Sequence, residues 1–405
     1  MNAVGIYISR GKSMVAVLRP FGEVVMLPFE VKHSNSELLA LAEQLKSIDG
    51  ETRVAMEHTG RYYEPVANVL HNSGLFVSTV NPLLIKEYGG NSLRKVKTDK
   101  ADAQKIARYT LDNWAELRNY TPMDTVRYNL KTLNRQFNLA SKQKTASANN
   151  LIALLEQTFP GIRKCFDSPV RNDGSQKWVD FVITFWHADC VRKYSKEAFT
   201  ERYRKWCKRH GYLVRSNTVQ EVYTLAQNAV VLVPKSQTAK VIIVEAAKQL
   251  TAISRSVELY RSEMNRLAEM LPEYPVVMQM FGVGSTFGPQ LIAEIGDVRR
   301  FARKQSLVAF AGIDPAPNDS GDKYGRNAGT TKRGSPYLRK TLFNIMKCYL
   351  QNAPENEPVF QFIDKKRSDG KPYFVYMTAA ANKFLRRYYA TVNEYLVPSE
   401  NTISE

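Results

Sequence analysis

The chain has 405 residues, room for roughly two or three domains, and carries 57 Lys and Arg against 39 Asp and Glu, a formal net charge of +18. Such an excess draws phosphate and makes nucleic acid the first partner to expect. Cys165, Cys190, Cys207 and Cys348 show no CxxC spacing and the five His are scattered, which supports neither a zinc site nor a disulfide framework. No apolar run approaches a membrane span, and MNAVGIYISRGK lacks a signal peptide's apolar core with a cleavage site, so a cytoplasmic protein without membrane contact is expected.

Residues 5–9, 14–19 and 23–31 are short, rich in Val and Ile, and separated by Arg10-Gly11-Lys12 and Pro20-Phe21-Gly22, which predicts a three-stranded antiparallel meander. Ser34 or Ser36 caps a helix to about Leu45; residues 53–56 form a fourth strand leading into Glu57-His58-Thr59-Gly60. A helix with Val66 and Leu70 facing inward follows, then a fifth strand over 75–80 that Asn81-Pro82 ends. This succession is that of an RNase H-like domain, in which acids at strand ends and on a late helix converge on metal. Glu57 falls where such a strand ends.

The stretch VKTDKADAQKI, 96–106, places Asp99 and Asp102 three apart before Ala103, Ile106 and Ala107. On a helix both carboxylates leave one face about one turn apart, a face able to grip a divalent cation. Lys95, Lys97, Lys100 and Lys105 form a basic collar suited to a polyanionic substrate. Charges at helical spacing also make an ordinary solvated face, so the pair gains weight only beside Glu57.

From Leu130 apolar positions run Leu133, Phe137, Ala140, then the polar Lys144 and Ser147, then Leu151 and Leu154. A second heptad run is Ile243, Ala246, Leu250, Ile253, Val257, Tyr260, Met264, Leu267, Leu271. Together they predict a long antiparallel coiled coil with a helical insert at its far end. Inside the insert, Thr218 and Glu221 read as a capping box opening a helix at Val219. Phe199, Tyr203 and Trp206 share a helical face that reads as core, although Arg204, Lys205, Lys208 and Arg209 leave room for nucleic-acid contact.

Phe281-Gly282-Val283-Gly284, with Gly288-Pro289 and an apolar helix after it, resembles a helix-hairpin-helix whose glycines let backbone N–H groups approach phosphate. The polar, Gly-rich segment 311–333 has little reason to be ordered unless it lines a site. Ser320 lies within it beside Asp319, Asp322, Lys323 and Arg326, with no His nearby to activate it, so a base from elsewhere would have to take its proton. Ser335 caps the next helix with Pro336 at its first position. Met377, Ala381, Phe384, Tyr388, Val392 and Tyr395 form a core stripe, and 398–405 reads as a disordered tail.

Several of these stretches together, VAMEHTGRYYEPVANVL, NPLLIKEYGGNSLRKVKTDKADAQKIA, the GVG hairpin and AGIDPAPNDSG with GTTKRGSPYLRK, resemble the DEDD transposases of the IS110 family of insertion sequences, relatives of the pilin-gene invertase. The resemblance implies a RuvC-type metal-binding domain at 1–120, and coiled-coil arms at 121–160 and 237–272 fit it too, whereas the insert at 161–236 is longer than in the family's compact members. It further implies a mainly helical transposase domain with a nucleophilic serine at 273–397. Carried over, Glu57, Asp99 and Asp102 match the second, third and fourth acids, which would bind Mg²⁺, and Ser320 matches the nucleophile. Gly282, Gly284, Lys95, Lys97, Lys100, Lys323, Arg326, Lys332 and Arg333 are the expected nucleic-acid contacts. Assembly into a homodimer or homotetramer with composite sites, and DNA recombination at element ends and targets guided by a structured bridge RNA, follow from the same resemblance, which places the protein on bacterial nucleoid DNA.

The first acid is missing. Tyr7 stands where the motif has aspartate, and no Asp precedes Asp49. A phenol with a pKa of about 10 is a poor Mg²⁺ ligand at neutral pH. A decayed copy, an inactivated variant and a regulatory relative would each show this. The leading expectation is therefore a DNA transposase or recombinase, impaired by Tyr7. The alternatives are a non-catalytic nucleic-acid-binding relative and a metal-dependent junction endonuclease.

Overall fold

The computed structural model describes residues 1–397 except 59, 89–97, 316–318, 321–322 and 325–328, with backbone alone for 319, 320, 323 and 324. The chain divides into two units, Met1–Pro122 and Met123–Glu405. Among the described residues no helix is long and apolar enough to cross a membrane.

In the first unit, β1 (Asn2–Ser9), β2 (Lys12–Leu18) and β3 (Val24–Lys32) precede α1 (Asn35–Lys46), β4 (Thr52–Glu57), α2 (Tyr63–Asn72), β5 (Phe76–Val80), α3 (Pro82–Tyr88) and α4 (Asp99–Asp112). The sheet order is β3-β2-β1-β4-β5, antiparallel through the meander and parallel from β1 to β4 and β4 to β5. The succession along the chain is the one the sequence predicts for an RNase H-like domain. Alternation along β1 sends Val4, Ile6 and Ile8 into a core with Leu38, Leu41, Leu45, Val66 and Leu70 of α1 and α2. Gly5 and Tyr7 face the other way, toward α4. Ser34 caps α1 as expected, its hydroxyl accepting from the Glu37 amide at 3.3 Å.

The second unit is helical: α5 (Thr125–Thr158), α6 (Lys177–Thr184), α7 (Asp189–Arg192), α8 (Lys196–His210), α9 (Ser216–Asn228), α10 (Gln237–Glu269), α11 (Tyr274–Met278), α12 (Gly284–Ile295) and α13 (Lys304–Ala311). A two-strand ladder, β6 (Asp319–Ser320) with β7 (Lys323–Tyr324), precedes α14 (Pro336–Asn352), α15 (Pro358–Ser368) and α16 (Tyr373–Leu396). Helices α5 and α10 lie antiparallel. Leu130 and Phe137 share a core with Val257, Met264 and Leu267, whereas Leu151 and Leu155 share another with Ile243, Ala247 and Leu250. Between the two cores sits a polar waist, where Lys144 Nζ is 4.0 Å from Glu258 Oε1 and Glu258 also binds Arg261 at 2.8 Å.

The seam departs from the predicted heptads. Ala247, Ser254 and Leu155 are buried in place of Ala246, Ile253 and Leu154, because a helix of about 3.6 residues per turn drifts off a strict 3.5-residue repeat and the buried stripe passes to the next residue. In the insert, Trp178, Trp186, Phe199, Tyr203 and Trp206 are core, packed on the far ends of α5 and α10. Helix α9 starts at Ser216 after Arg215, so Thr218 lies inside it, buried, and caps nothing. The stripe on α16 is core through Val392, but Tyr395 is exposed and Leu396 is buried in its stead. The tail 398–405 lies outside the described residues.

Candidate active site

Helix α4 crosses β1 at Gly5. A Cβ there would sit 2.2 Å from the Ala103 carbonyl oxygen and 2.3 Å from the Ala107 nitrogen, so only glycine lets the helix dock this closely. Thr98 caps α4 by accepting from the Ala101 amide at 3.2 Å, which sets Asp99 and Asp102 in the first turn. The positive end of the helix favours both carboxylates there. Gly5 pairs with Ala55 and Ile6 with Met56, so one step further along the parallel pair stand Tyr7 and Glu57, on the face that α4 covers. Tyr7 is partly buried against the cluster of Ala55, Val80, Ile85 and Ile106.

Burial raises the Tyr7 phenol above its ordinary pKa, and the charges of Asp99, Asp102 and Glu57 push it further. All three acids thus act on one hydroxyl, which stays neutral at physiological pH. Lys12, whose pKa is raised chiefly by its hydrogen bond to Glu30, also feels Asp99. Oxygen donors of this kind suit a hard divalent cation. Even so, among the described residues no three His, Cys, Asp or Glu approach closely enough to hold a metal ion. With a phenol in place of a further carboxylate, the residues present do not make a complete ligand set for such an ion.

The serine-bearing segment is tied at both ends. Gly312 and Gly334 meet backbone to backbone: a Cβ on Gly334 would lie 2.0 Å from the Phe310 carbonyl oxygen, and one on Gly312 2.6 Å from the Gly334 nitrogen. Ser320 pairs with Lys323 across the β6–β7 ladder, and Pro315 bridges to Thr330. Ser335 caps α14 as predicted, accepting from the Leu338 amide at 3.2 Å while its hydroxyl donates to Glu294 at 2.8 Å. Buried Glu294 also accepts from Asn134 at 2.6 Å and Arg135 at 3.0 Å, which locks α5, α12 and the foot of the serine segment together. Sequence reasoning missed this carboxylate, whose only signal was an acid inside an apolar helix. Glu294→Ala leaves three donors facing an empty site and is expected to cost about 3–5 kcal/mol, read as a lower denaturant midpoint with an unchanged slope.

Of the expected nucleic-acid contacts, Lys95, Lys97 and Arg326 lie outside the described residues, and Lys323 is described by its backbone alone. Lys100, Lys332 and Arg333 are exposed. The hairpin glycines differ from each other. Both have positive φ, 75° at Gly282 and 52° at Gly284. Gly282 packs on α14, a Cβ there meeting Ile345 and Cys348 at 3.4 Å, whereas nothing lies within 4 Å of one on Gly284. Only Gly284, at the exposed start of α12, is open to a phosphate.

A five-stranded sheet in RNase H-like order, with Glu57 at the end of β4 and Asp99 and Asp102 in the first turn of α4, joined in a strongly basic chain to a second helical unit, fits the class of DNA transposases and recombinases. A family model for DEDD-type IS110 transposases matches residues 4–160, and one for the transposase IS116/IS110/IS902 family matches residues 274–358. The chain belongs to the IS110 family of transposases. It is 22% identical over 357 residues to a 43.6 kDa protein of insertion element IS110 from Streptomyces coelicolor, covering 88% of this chain and 85% of that one. It is likewise 22% identical over 371 residues to a 44.8 kDa protein of insertion element IS116 from Streptomyces clavuligerus, covering 91% and 88%. A solved structure of T. thermophilus RuvC in complex with a Holliday junction substrate matches 29% of this chain and 96% of its own at 15% identity, with a TM-score of 0.23.

Proposed function

We propose that the protein cuts and rejoins DNA at the ends of a mobile element and at its target, with Ser320 as nucleophile and Glu57, Asp99 and Asp102 as the surviving part of a Mg²⁺ site. The observation carrying this reading is the register that sets Tyr7, the position where the family motif has its first aspartate, beside Glu57 on the sheet face covered by α4, whose first turn carries Asp99 and Asp102. In the reaction the serine Oγ bonds to the scissile phosphorus as a phosphodiester P–O bond breaks. The serine proton leaves to a base, and the departing DNA end takes up a proton as a hydroxyl. The phosphoserine ester retains the bond energy, so attack by a second DNA hydroxyl rejoins strands and frees the serine without an external energy source. A structured bridge RNA as guide, and a homodimer or homotetramer as working assembly, complete the reading; both rest on the family resemblance. The α5–α10 pair would serve as a coiled-coil arm that carries the insert, and residues 1–120 and 273–397 as the metal-binding and serine-bearing domains.

The test is incubation with DNA carrying the element's own ends and the RNA transcribed beside it, followed by denaturation. A protein–DNA adduct that survives denaturation supports the reading; free cleaved ends without adduct would make the protein a junction nuclease instead. One observation favours a second reading, a nucleic-acid binder without catalysis: the phenol where a carboxylate belongs.

Binding is expected to persist in either case, because the charge excess of +18 does not depend on the missing acid. A surface making six or more phosphate contacts loses on the order of 10³-fold in affinity between roughly 50 and 200 mM salt. Titration of duplex DNA at stepped ionic strength checks this, and an affinity indifferent to salt would remove the nucleic-acid reading altogether.

A further inference from the structure

A groove of about 1380 Å³ lies wholly within the second unit, between the foot of the serine segment and helices α14, α15 and α16. It exceeds the roughly 300–1,000 Å³ of ordinary small-molecule sites. Its described lining is aromatic and cationic: Phe343, Phe362 and Phe374 with Lys332, Lys383 and Arg386, together with Arg339 and Lys340. Not one Asp or Glu appears among the described residues that line it.

Arg339 donates to the Ala311 and Gly334 carbonyls and Lys340 to Asn138, so those two serve the fold, but the other three cations have no acid to balance among the described residues. Among the described residues Lys332 and Arg386 make no ion pair or side-chain hydrogen bond, and Lys383 rests its ammonium 4.9 Å from the centre of the Phe362 ring. Lys332 also holds a left-handed backbone at φ 52°, a conformation costly for a residue with a side chain and found mostly where function fixes it. At the mouth, Phe374 is 72% exposed and Val375 52%, with Tyr373 edge-on to Phe374 at 5.2 Å. An exposed phenylalanine at a cationic rim gains nothing from folding.

We propose that this groove binds unpaired nucleotides of a single nucleic-acid strand, with bases stacked on Phe374 and Phe362 and phosphates held by Lys332, Lys383 and Arg386. The inference rests on the nucleic-acid reading above and adds a strand class to it. A duplex offers phosphates and groove edges but hides its ring faces, so an aromatic wall among cations is of use only to bases out of a stack. An acidic peptide would satisfy the cations and leave the rings without a partner. The volume accommodates more than one nucleotide.

The full-length protein is titrated by fluorescence anisotropy with labelled oligothymidylate, labelled oligouridylate and a labelled duplex. Phe374→Ala, at a side chain too exposed to support the fold, is expected to weaken single-strand binding by roughly tenfold and leave the duplex unchanged. The double variant Lys383→Ala/Arg386→Ala is expected to reduce the salt slope for the single strand by about 1.4, two phosphates' worth. Stronger loss on oligouridylate names RNA as the natural occupant, and stronger loss on oligothymidylate names DNA; either supports the proposal. Unchanged single-strand binding in both variants, or equal losses on strand and duplex, overturns it while wild-type duplex binding leaves the broader reading standing. A wild-type protein that binds none of the three probes at low salt removes both.

Discussion

Tyr7→Asp is expected to create a cation site where none of the described residues now forms one. The substitution removes a ring from among Glu57, Asp99 and Asp102 and adds the carboxylate that the DEDD pattern has at the central strand, next to Glu57 in the parallel register. A fourth carboxylate facing Glu57, Asp99 and Asp102 adds repulsion that only a bound cation relieves, so the melting temperature should fall in chelator. With Mg²⁺ at about a hundred times its dissociation constant the folded state gains roughly 2.7 kcal/mol, a rise of several degrees or more. Strand cleavage should increase by a large factor in parallel. A core role for the ring gives the opposite pattern: aspartate against Ala55, Val80, Ile85 and Ile106 would be an unpaired buried charge, costing several kcal/mol with or without metal. A drop in melting temperature that Mg²⁺ does not reverse would end the lost-ligand account.

In that restored background, Ser320→Ala is expected to abolish the denaturation-resistant DNA adduct, by at least about 10³-fold, while RNA and DNA binding stay within twofold or so of the parent. The acids lack a nucleophile and the serine lacks a base within its own stretch, so neither motif contains complete chemistry. Asp102→Asn should give the same loss by weakening the cation site. Gel analysis after denaturation reads both. An adduct that persists in Ser320→Ala would move the nucleophile to another residue.

The first unit was legible in the sequence because each of its strands is short, β-branched and bounded by a turn, and because alternation along β1 leaves one choice of face. The same succession of elements made the strand end at Glu57 and the late helix carrying Asp102 legible as places for acids. What the sequence did not disclose depends on packing between distant segments. Gly5 reads as any strand glycine until α4 is laid across it. Ala247 and Ser254 take the seam from their neighbours Ala246 and Ile253 because the helix period drifts off the heptad repeat, which the packed pair alone reveals. The capping box at Thr218 failed because the helix had already begun at Ser216. The groove joins Lys332, Phe362, Phe374, Lys383 and Arg386 from separate elements, none of which forms a motif with its neighbours in sequence.

The polar waist of the long helix pair, at Lys144, Glu258 and Arg261, has a consequence for how the second unit responds to stress. Apolar contact is what makes neighbouring parts melt together, and here it is interrupted, so the distal and basal cores are joined by helix backbone and a few charges. Each core can therefore open as its own cooperative block. Breathing, proteolytic nicking or sequence drift in the aromatic block need not reach the block that holds Glu294 and the foot of the segment 312–334, which makes the distal core of the second unit a buffer in which change can accumulate.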